Sequence, residues 1–146
     1  MPLTLSRSAD SLARETADRA EAACAAVNAA IDGVRRSFIT PIAGQSMIYL
    51  EKEAEALAYV AADPEPATLE GWEAGYPFSA SEVGATAPTP YEVAQVYLNL
   101  AAQWRAAGAQ LENLRIGTIT AVNAAATVWE IEAAMTDFTA AVEAFA

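Results

Sequence analysis

Small and apolar residues recur along most of the chain at alternating steps of three and four residues. Because an α-helix turns once in about 3.6 residues, this spacing places them in a line along one helix face. We call such a line a seam, as in coiled coils. Strand faces repeat every second residue instead. We therefore predict an all-α fold whose long helices pack along their length.

Alanine supplies much of these seams, in a chain that is 54% hydrophobic. Alanine has the highest helix propensity but buries little area, so its helices form readily while each contact stabilises weakly. Such helices need length or a partner chain to be stable. The sequence therefore predicts an elongated helical bundle or helical hairpin with coiled-coil-like seams. We expect it to form a homo-oligomer, such as a trimer.

The first segment, residues 1–38, is predicted to be an amphipathic and oligomerising N-terminal helix that begins near Ser8. Its early part is polar and its seam is weak there. The seam residues are Ala13, Thr16, Ala20, Ala23, Val27, Ala30 and Val34. Thr40-Pro41 should end the helix, because the residue before a proline avoids the helical region.

The remaining residues, 39–146, are predicted to form a helical bundle domain with helices at about 45–62, 79–85, 89–125 and 127–145. The first of these carries the seam Met47, Leu50, Ala54, Leu57 and Ala61, and Glu51, Lys52, Glu53 and Glu55 are assigned to its solvent face. Three helix starts match the capping box, in which a Ser or Thr and a Glu three residues later cap each other. They begin at Ser79, Thr89 and Thr127.

One long irregular loop is predicted at about 63–88, where proline and glycine are concentrated. Loops of this length in compact domains are often functional. Its aromatic residues Trp72, Tyr76 and Phe78 are candidate protein-interaction residues, because Trp and Tyr are enriched at interface hot spots. The alternative is that these rings attach the loop to the helices. In the last predicted helix, Trp129 flanks the seam, so it belongs either to a second core face or to a contact between chains. The residues of this seam are Val128, Ile131, Met135, Phe138, Val142 and Phe145.

The charge balance makes nucleic acid and anionic membranes poor partners. The chain has 19 acidic against 8 basic residues, for a net charge of -11. Phosphate binding needs a basic surface, and anionic lipid headgroups would repel this one. No run approaches the roughly 18 apolar residues of a membrane span, and no targeting segment is evident. We expect a protein that is made and kept in the cytoplasm, or assembled there into something larger, and that neither binds nucleic acid nor enters a membrane.

The residue inventory leaves little for catalysis. The chain has no histidine and one cysteine, Cys24. The commonest general base is therefore missing, and an ordinary zinc site cannot be assembled. The glutamates of 51–55 and of 130–132 lie on helices as near neighbours that point in different directions, as on a solvated face. We predict that the protein is not an enzyme and has no cofactor, catalytic residue or metal site, with a carboxylate-only enzyme as the remote alternative.

Several short motifs are spread over about residues 34–126. They are Arg35 to Gln45, Tyr49 to Lys52, Ala56 to Tyr59, Tyr76 to Phe78, Glu82 to Gly84, Thr89-Pro90, Glu92 to Ala94, Trp104-Arg105, Gly108-Ala109 and Leu114-Arg115. Together these motifs resemble a helical module of tail and tail-fibre proteins from tailed bacteriophages and prophages, which would be made in the host cytoplasm. The resemblance implies a virion tail protein without enzymatic activity, whose partners are other phage tail proteins. It implies a structural component at the baseplate or the fibre attachment. An assembly chaperone that does not remain in the virion is the alternative.

Overall fold

The computed structural model describes residues 7–40 and 42–145, and every regular element within them is a helix. The five helices are α1 (Ala9–Phe38), α2 (Gln45–Ala61), α3 (Pro77–Glu82), α4 (Pro90–Ala124) and α5 (Val128–Glu143). The described residues contain no β-strand, only an isolated bridge between Val83 and Ala87. The all-α prediction is therefore confirmed.

Local capping sets the starts of the two C-terminal helices. Pro90 is the first residue of α4, and the backbone N–H of Glu92 donates to the Thr89 hydroxyl over 3.3 Å. Thr127 and Glu130 form the predicted capping box at the start of α5. Both helix starts lie where the sequence places them, because a capping box needs only residues three apart.

The chain divides into two compact units, each described here by itself. Unit 1 combines the described parts of Met1–Ser37 and Ala109–Ala146, and unit 2 is Phe38–Gly108. One boundary lies next to the boundary predicted at residue 38. The other lies inside α4, so this helix contributes its N-terminal half to unit 2 and its C-terminal half to unit 1.

The core of unit 1 is built from α1, the second half of α4, and α5. Val27 and Ile31 pack with Leu111 and Phe138, and Ala23 packs in a neighbouring cluster with Val122 and Ile131. The buried residues of α1 are four apart, and those of α5 are seven apart. Both spacings keep the buried residues on one helix face.

A cluster of charges bridges α1 and α4 within unit 1. Glu112 forms ion pairs with Arg115 and with Arg35, and Arg115 also donates to the Asn28 side chain. These guanidinium groups, Arg115 first and then Arg35, lower the pKa of Glu112 from 4.5 to about 2.

The lowered pKa of Glu112 predicts an acid-sensitive contribution to stability. A carboxylate whose pKa is lower in the folded state stabilises the fold above its unfolded pKa, and this stabilisation is lost as the pH falls towards the folded pKa. We expect Glu112→Gln to be less stable than the natural protein at pH 6, with the difference shrinking between pH 4.5 and 2. Urea unfolding across this range measures it. The double variant Arg35→Gln/Arg115→Gln should lose the same pH dependence, and its persistence would contradict the assignment.

The core of unit 2 joins α2, the connection from 62 to 89, and the start of α4. Its buried residues are Ala56, Tyr59, Leu69, Tyr76, Val93, Ala94 and Tyr97. Two of them, Leu69 and Tyr76, come from the connection that the sequence predicts as an irregular loop. This connection contains α3 and contributes to the core as the helices do.

Candidate interaction surface

The seam predicted for α2 lies on the exposed side of that helix. We call Met47, Leu50, Ala54, Leu57 and Ala61 the α2 apolar face. Its large side chains are Met47, Leu50 and Leu57, which are 70%, 67% and 51% exposed. This seam does not pack inside unit 2, because α2 buries a different side there.

The buried side of α2 consists of Glu55, Ala56 and Tyr59. Glu55, assigned from the sequence to the solvent face, is only 8% exposed. Its carboxylate accepts hydrogen bonds from the backbone N–H groups of Phe78 and Ser79, over 3.0 and 2.9 Å, and from the Ser79 hydroxyl over 3.0 Å. The assignment of Glu55 to the solvent face is therefore wrong: this carboxylate is a buried structural acceptor.

The bonds of Glu55 also explain where α3 begins. The first N–H groups of a helix have no partner within the helix, and a carboxylate at this end is favoured by the helix dipole. Glu55 fills this role from another helix, so α3 begins at Pro77 and ends at Glu82. The prediction of a helix at 79–85 capped by Ser79 is wrong at both ends. The Ser79 hydroxyl donates to Glu55 instead of capping its own helix.

Tyr59 fixes the same side of α2 one turn later. Its hydroxyl donates to the backbone oxygen of Pro66 over 2.6 Å, and its ring meets that of Tyr76 edge-on at 5.9 Å between centroids. Burial, followed by the carboxylate of Glu65, raises the pKa of Tyr59. Glu55 and Tyr59 together hold the rotation of α2 about its axis, and this rotation leaves the α2 apolar face exposed.

A cleft opens beside the α2 apolar face, within unit 2. Its volume is about 410 Å³. Its lining includes Phe38, Leu50, Lys52, Glu82, Tyr97, Leu100 and Trp104. Leu50 belongs both to this cleft and to the α2 apolar face, so the two form one surface. Phe38 and Leu100 add exposed apolar area around the cleft, and the ring of Phe38 lies 6.3 Å from that of Trp104.

Polar groups of the cleft are already arranged with one another. Lys52 forms an ion pair with Glu82, and its ammonium nitrogen lies 5.1 Å from the centre of the Tyr97 ring. Burial and the nearby carboxylates of Glu82 and Glu55 raise the pKa of Tyr97. The Tyr97 hydroxyl is buried without a hydrogen-bond partner among the described residues. Most of the remaining lining is apolar, as in sites that bind large side chains.

The four candidate interaction residues predicted from the sequence differ in their exposure to solvent. Tyr76 is buried in the core of unit 2, and Phe78 is half-buried. Trp72 remains 57% exposed in the same connection, and Trp129 is 77% exposed on α5. Trp72 and Trp129 are therefore available for contacts, whereas the Tyr76 side chain is enclosed. The sequence places Leu50 on the seam of α2 but does not identify Leu50, Leu100 or the cleft as an interaction site.

The buried and half-buried acidic groups of unit 2 have structural partners. Glu53 forms an ion pair with Arg105, and the buried Glu55 is bonded to N–H and hydroxyl donors rather than to a second carboxylate. Among residues 7–40 and 42–145, no group of three or more potential metal ligands comes together. Over the same residues, none of the helices has the length and apolar character of a membrane span.

Comparison of the chain with protein-family models, with curated proteins and with solved structures gives no match. The resemblance of residues 34–126 to a helical module of phage tail proteins therefore stays a prediction from the motifs.

Proposed function

We propose that the protein is a non-catalytic structural component of a bacteriophage tail, at the baseplate or the fibre attachment, and that it acts by docking helices of other chains. The observation that carries the docking role is the exposure of the α2 apolar face on a helix whose opposite side is fixed by Glu55 and Tyr59. The setting in a phage tail rests on the sequence resemblance, and the virion would be its location.

The distribution of exposed apolar side chains supports docking. Large exposed apolar patches on soluble proteins mark interaction sites more often than single exposed residues do. Eight of the large apolar residues exposed among the described residues belong to unit 2, namely Phe38, Ile42, Met47, Leu50, Leu57, Trp72, Tyr91 and Leu100. Three of these residues, Phe38, Leu50 and Leu100, line the cleft, which can receive a side chain.

Self-association is a second element of the proposal. The coiled-coil-like seams of an elongated bundle then act partly between copies of the chain, in a homo-oligomer such as a trimer. The largely exposed first turns of α1 and the exposed Trp129 on α5 leave area in unit 1 for such contacts. The connection at about 63–88, with Trp72 at its surface, offers a further contact to other tail proteins.

Light scattering on the purified protein tests self-association. We expect a mass that is a multiple of the 15.3 kDa chain at micromolar concentration. Trp129→Asp should shift the mass towards the monomer if this ring lies between copies, because a charge in an apolar contact is strongly unfavourable. Trp72→Asp provides a matched control in the other unit. A well-folded monomer for the natural protein would contradict this element.

Mass spectrometry of purified virions separates the structural role from the alternative. A structural component should be present at a fixed copy number in the particle. An assembly chaperone, which also needs an exposed docking face, should be abundant in infected cells and absent from finished virions.

A further inference from the structure

We propose that the α2 apolar face and the adjoining cleft bind an amphipathic helix of a partner protein whose apolar side is flanked by lysine or arginine. This inference rests on the docking role proposed for the protein and adds the chemistry of the partner. Helix-in-groove recognition places apolar side chains at helical spacing into such a surface.

The apolar half of the surface matches a helix in shape. Met47, Leu50 and Leu57 are spaced three and seven residues apart, so they form a line along α2 that a second helix can follow. The cleft lies beside this line at Leu50. One large side chain of the bound helix enters it, between Leu50 and Leu100 and near Trp104. Anchors of this kind dominate the energetics of small interfaces.

The charge of unit 2 selects the partner's flanks. Residues 38–108 contain nine acidic residues but only two basic ones, Lys52 and Arg105. Both basic residues already form ion pairs, with Glu82 and Glu53. Six further carboxylates are exposed and form no ion pair among the described residues: Glu51, Asp63, Glu65, Glu70, Glu73 and Glu92.

One of these carboxylates lies at the edge of the α2 apolar face, because Glu51 follows Leu50 on α2. Asp63 and Glu65 follow the C-terminal end of that helix. The C-terminus of a helix carries a partial negative charge, and α2 has no basic residue in its last turn to offset it. Lysine or arginine beside the apolar line of the bound helix would therefore complement the carboxylates of unit 2.

A second copy of the chain fits this face poorly. Two α2 helices packed on their apolar faces would bring the unpaired Glu51 carboxylates of both copies into one interface. Neither copy has an unpaired basic residue in this unit to offset the repulsion. Like charges juxtaposed at an interface disfavour the pairing. The face is thus suited to a different chain, while self-association uses other surfaces.

The test uses designed helical peptides and the full chain. Three peptides of the length of α2 are compared: one with a leucine face flanked by lysines, one with the same face flanked by glutamates, and one with the lysine peptide's residues in scrambled order. The protein carries Trp72→Phe and Trp129→Phe, so that Trp104 in the cleft is the sole tryptophan. Its emission reports entry of a side chain into the cleft.

We expect the lysine-flanked amphipathic peptide to bind and shift the Trp104 emission, with weaker binding at high salt. Leu50→Asp should weaken this binding at least tenfold. Ile116→Asp, a matched change at an exposed apolar position of α4 in unit 1, should leave it unchanged.

Three results would overturn the inference. Equal binding of the scrambled peptide would mean that charge attraction alone drives binding. Equal binding of the glutamate-flanked peptide would mean that the charge of unit 2 does not select the partner. Loss of a natural oligomer on Leu50→Asp would make a second copy the occupant. The virion measurement is independent: peptide binding by a protein absent from virions would sustain this partner chemistry and favour the chaperone.

Discussion

Glu55→Ala should lower the free energy of unfolding by about 3 kcal/mol, since it leaves two backbone N–H groups and one hydroxyl at the start of α3 without their acceptor. Buried donors that lose a charged acceptor are among the costly defects of a folded protein. Urea unfolding followed by circular dichroism measures the change.

Two variants control this experiment. Glu51→Ala removes a carboxylate from the exposed side of the same helix and should change the stability by less than about 0.5 kcal/mol. Glu55→Gln keeps one acceptor oxygen and loses the charge, so its effect should lie between the two. Equal stabilities of Glu55→Ala and Glu51→Ala would contradict the buried position of Glu55 and, with it, the rotation that exposes the α2 apolar face.

Tyr76→Ala should cost about 3 kcal/mol of stability, in the range measured when large buried aromatic or aliphatic side chains are truncated. The variant removes the edge-on contact with Tyr59 and leaves a void beside Leu69 and Val93 in the core of unit 2. Thermal unfolding by calorimetry and the loss of helical circular dichroism both report it.

Trp72→Ala is the matched variant from the same connection. The Trp72 ring is mostly exposed, so its removal should change the stability by less than about 0.5 kcal/mol. If Trp72 contacts a partner, this variant should still reduce incorporation into the particle. The reverse order of stabilities, with Trp72→Ala the more costly, would contradict the placement of both rings.

The variants Tyr76→Ala and Trp72→Ala divide a group of aromatic residues that the sequence presents as one. Trp72, Tyr76 and Phe78 are close in sequence, and either of two roles fits all three. Tyr76 has a core role because it packs in one buried cluster with Leu69 and Tyr59, which lie 7 and 17 residues earlier in the chain. No local pattern carries that information.

Other features were predictable because they are local. Thr127 and Glu130 cap α5 through residues three apart, and Pro90 begins α4 because its ring suits the first helical position. The residues placed on the seam of α5 include Ile131 and Phe138, which are both buried. For a helix in a single packing environment, spacing and burial agree.

On α2 they disagree, and the reason is physical. Met47, Leu50 and Leu57 predict a buried face by hydropathy, yet the helix buries Glu55. The carboxylate finds three donors at the start of α3, and satisfied polar groups can be buried. The hydropathy pattern of α2 cannot predict that Glu55 has hydrogen-bond donors 23 and 24 residues away in the sequence.

The sequence by itself determined the helical class, the helix starts with local caps and the acidic charge. Helix propensity and capping depend on residues that are close in sequence, and net charge depends on composition alone. Only the tertiary structure decided which side of α2 faces the solvent and which aromatic ring lies in the core. It also brought Leu50, Leu100 and Trp104 around one cleft. Those outcomes depend on contacts between distant residues, and such contacts leave no periodic signal in the chain.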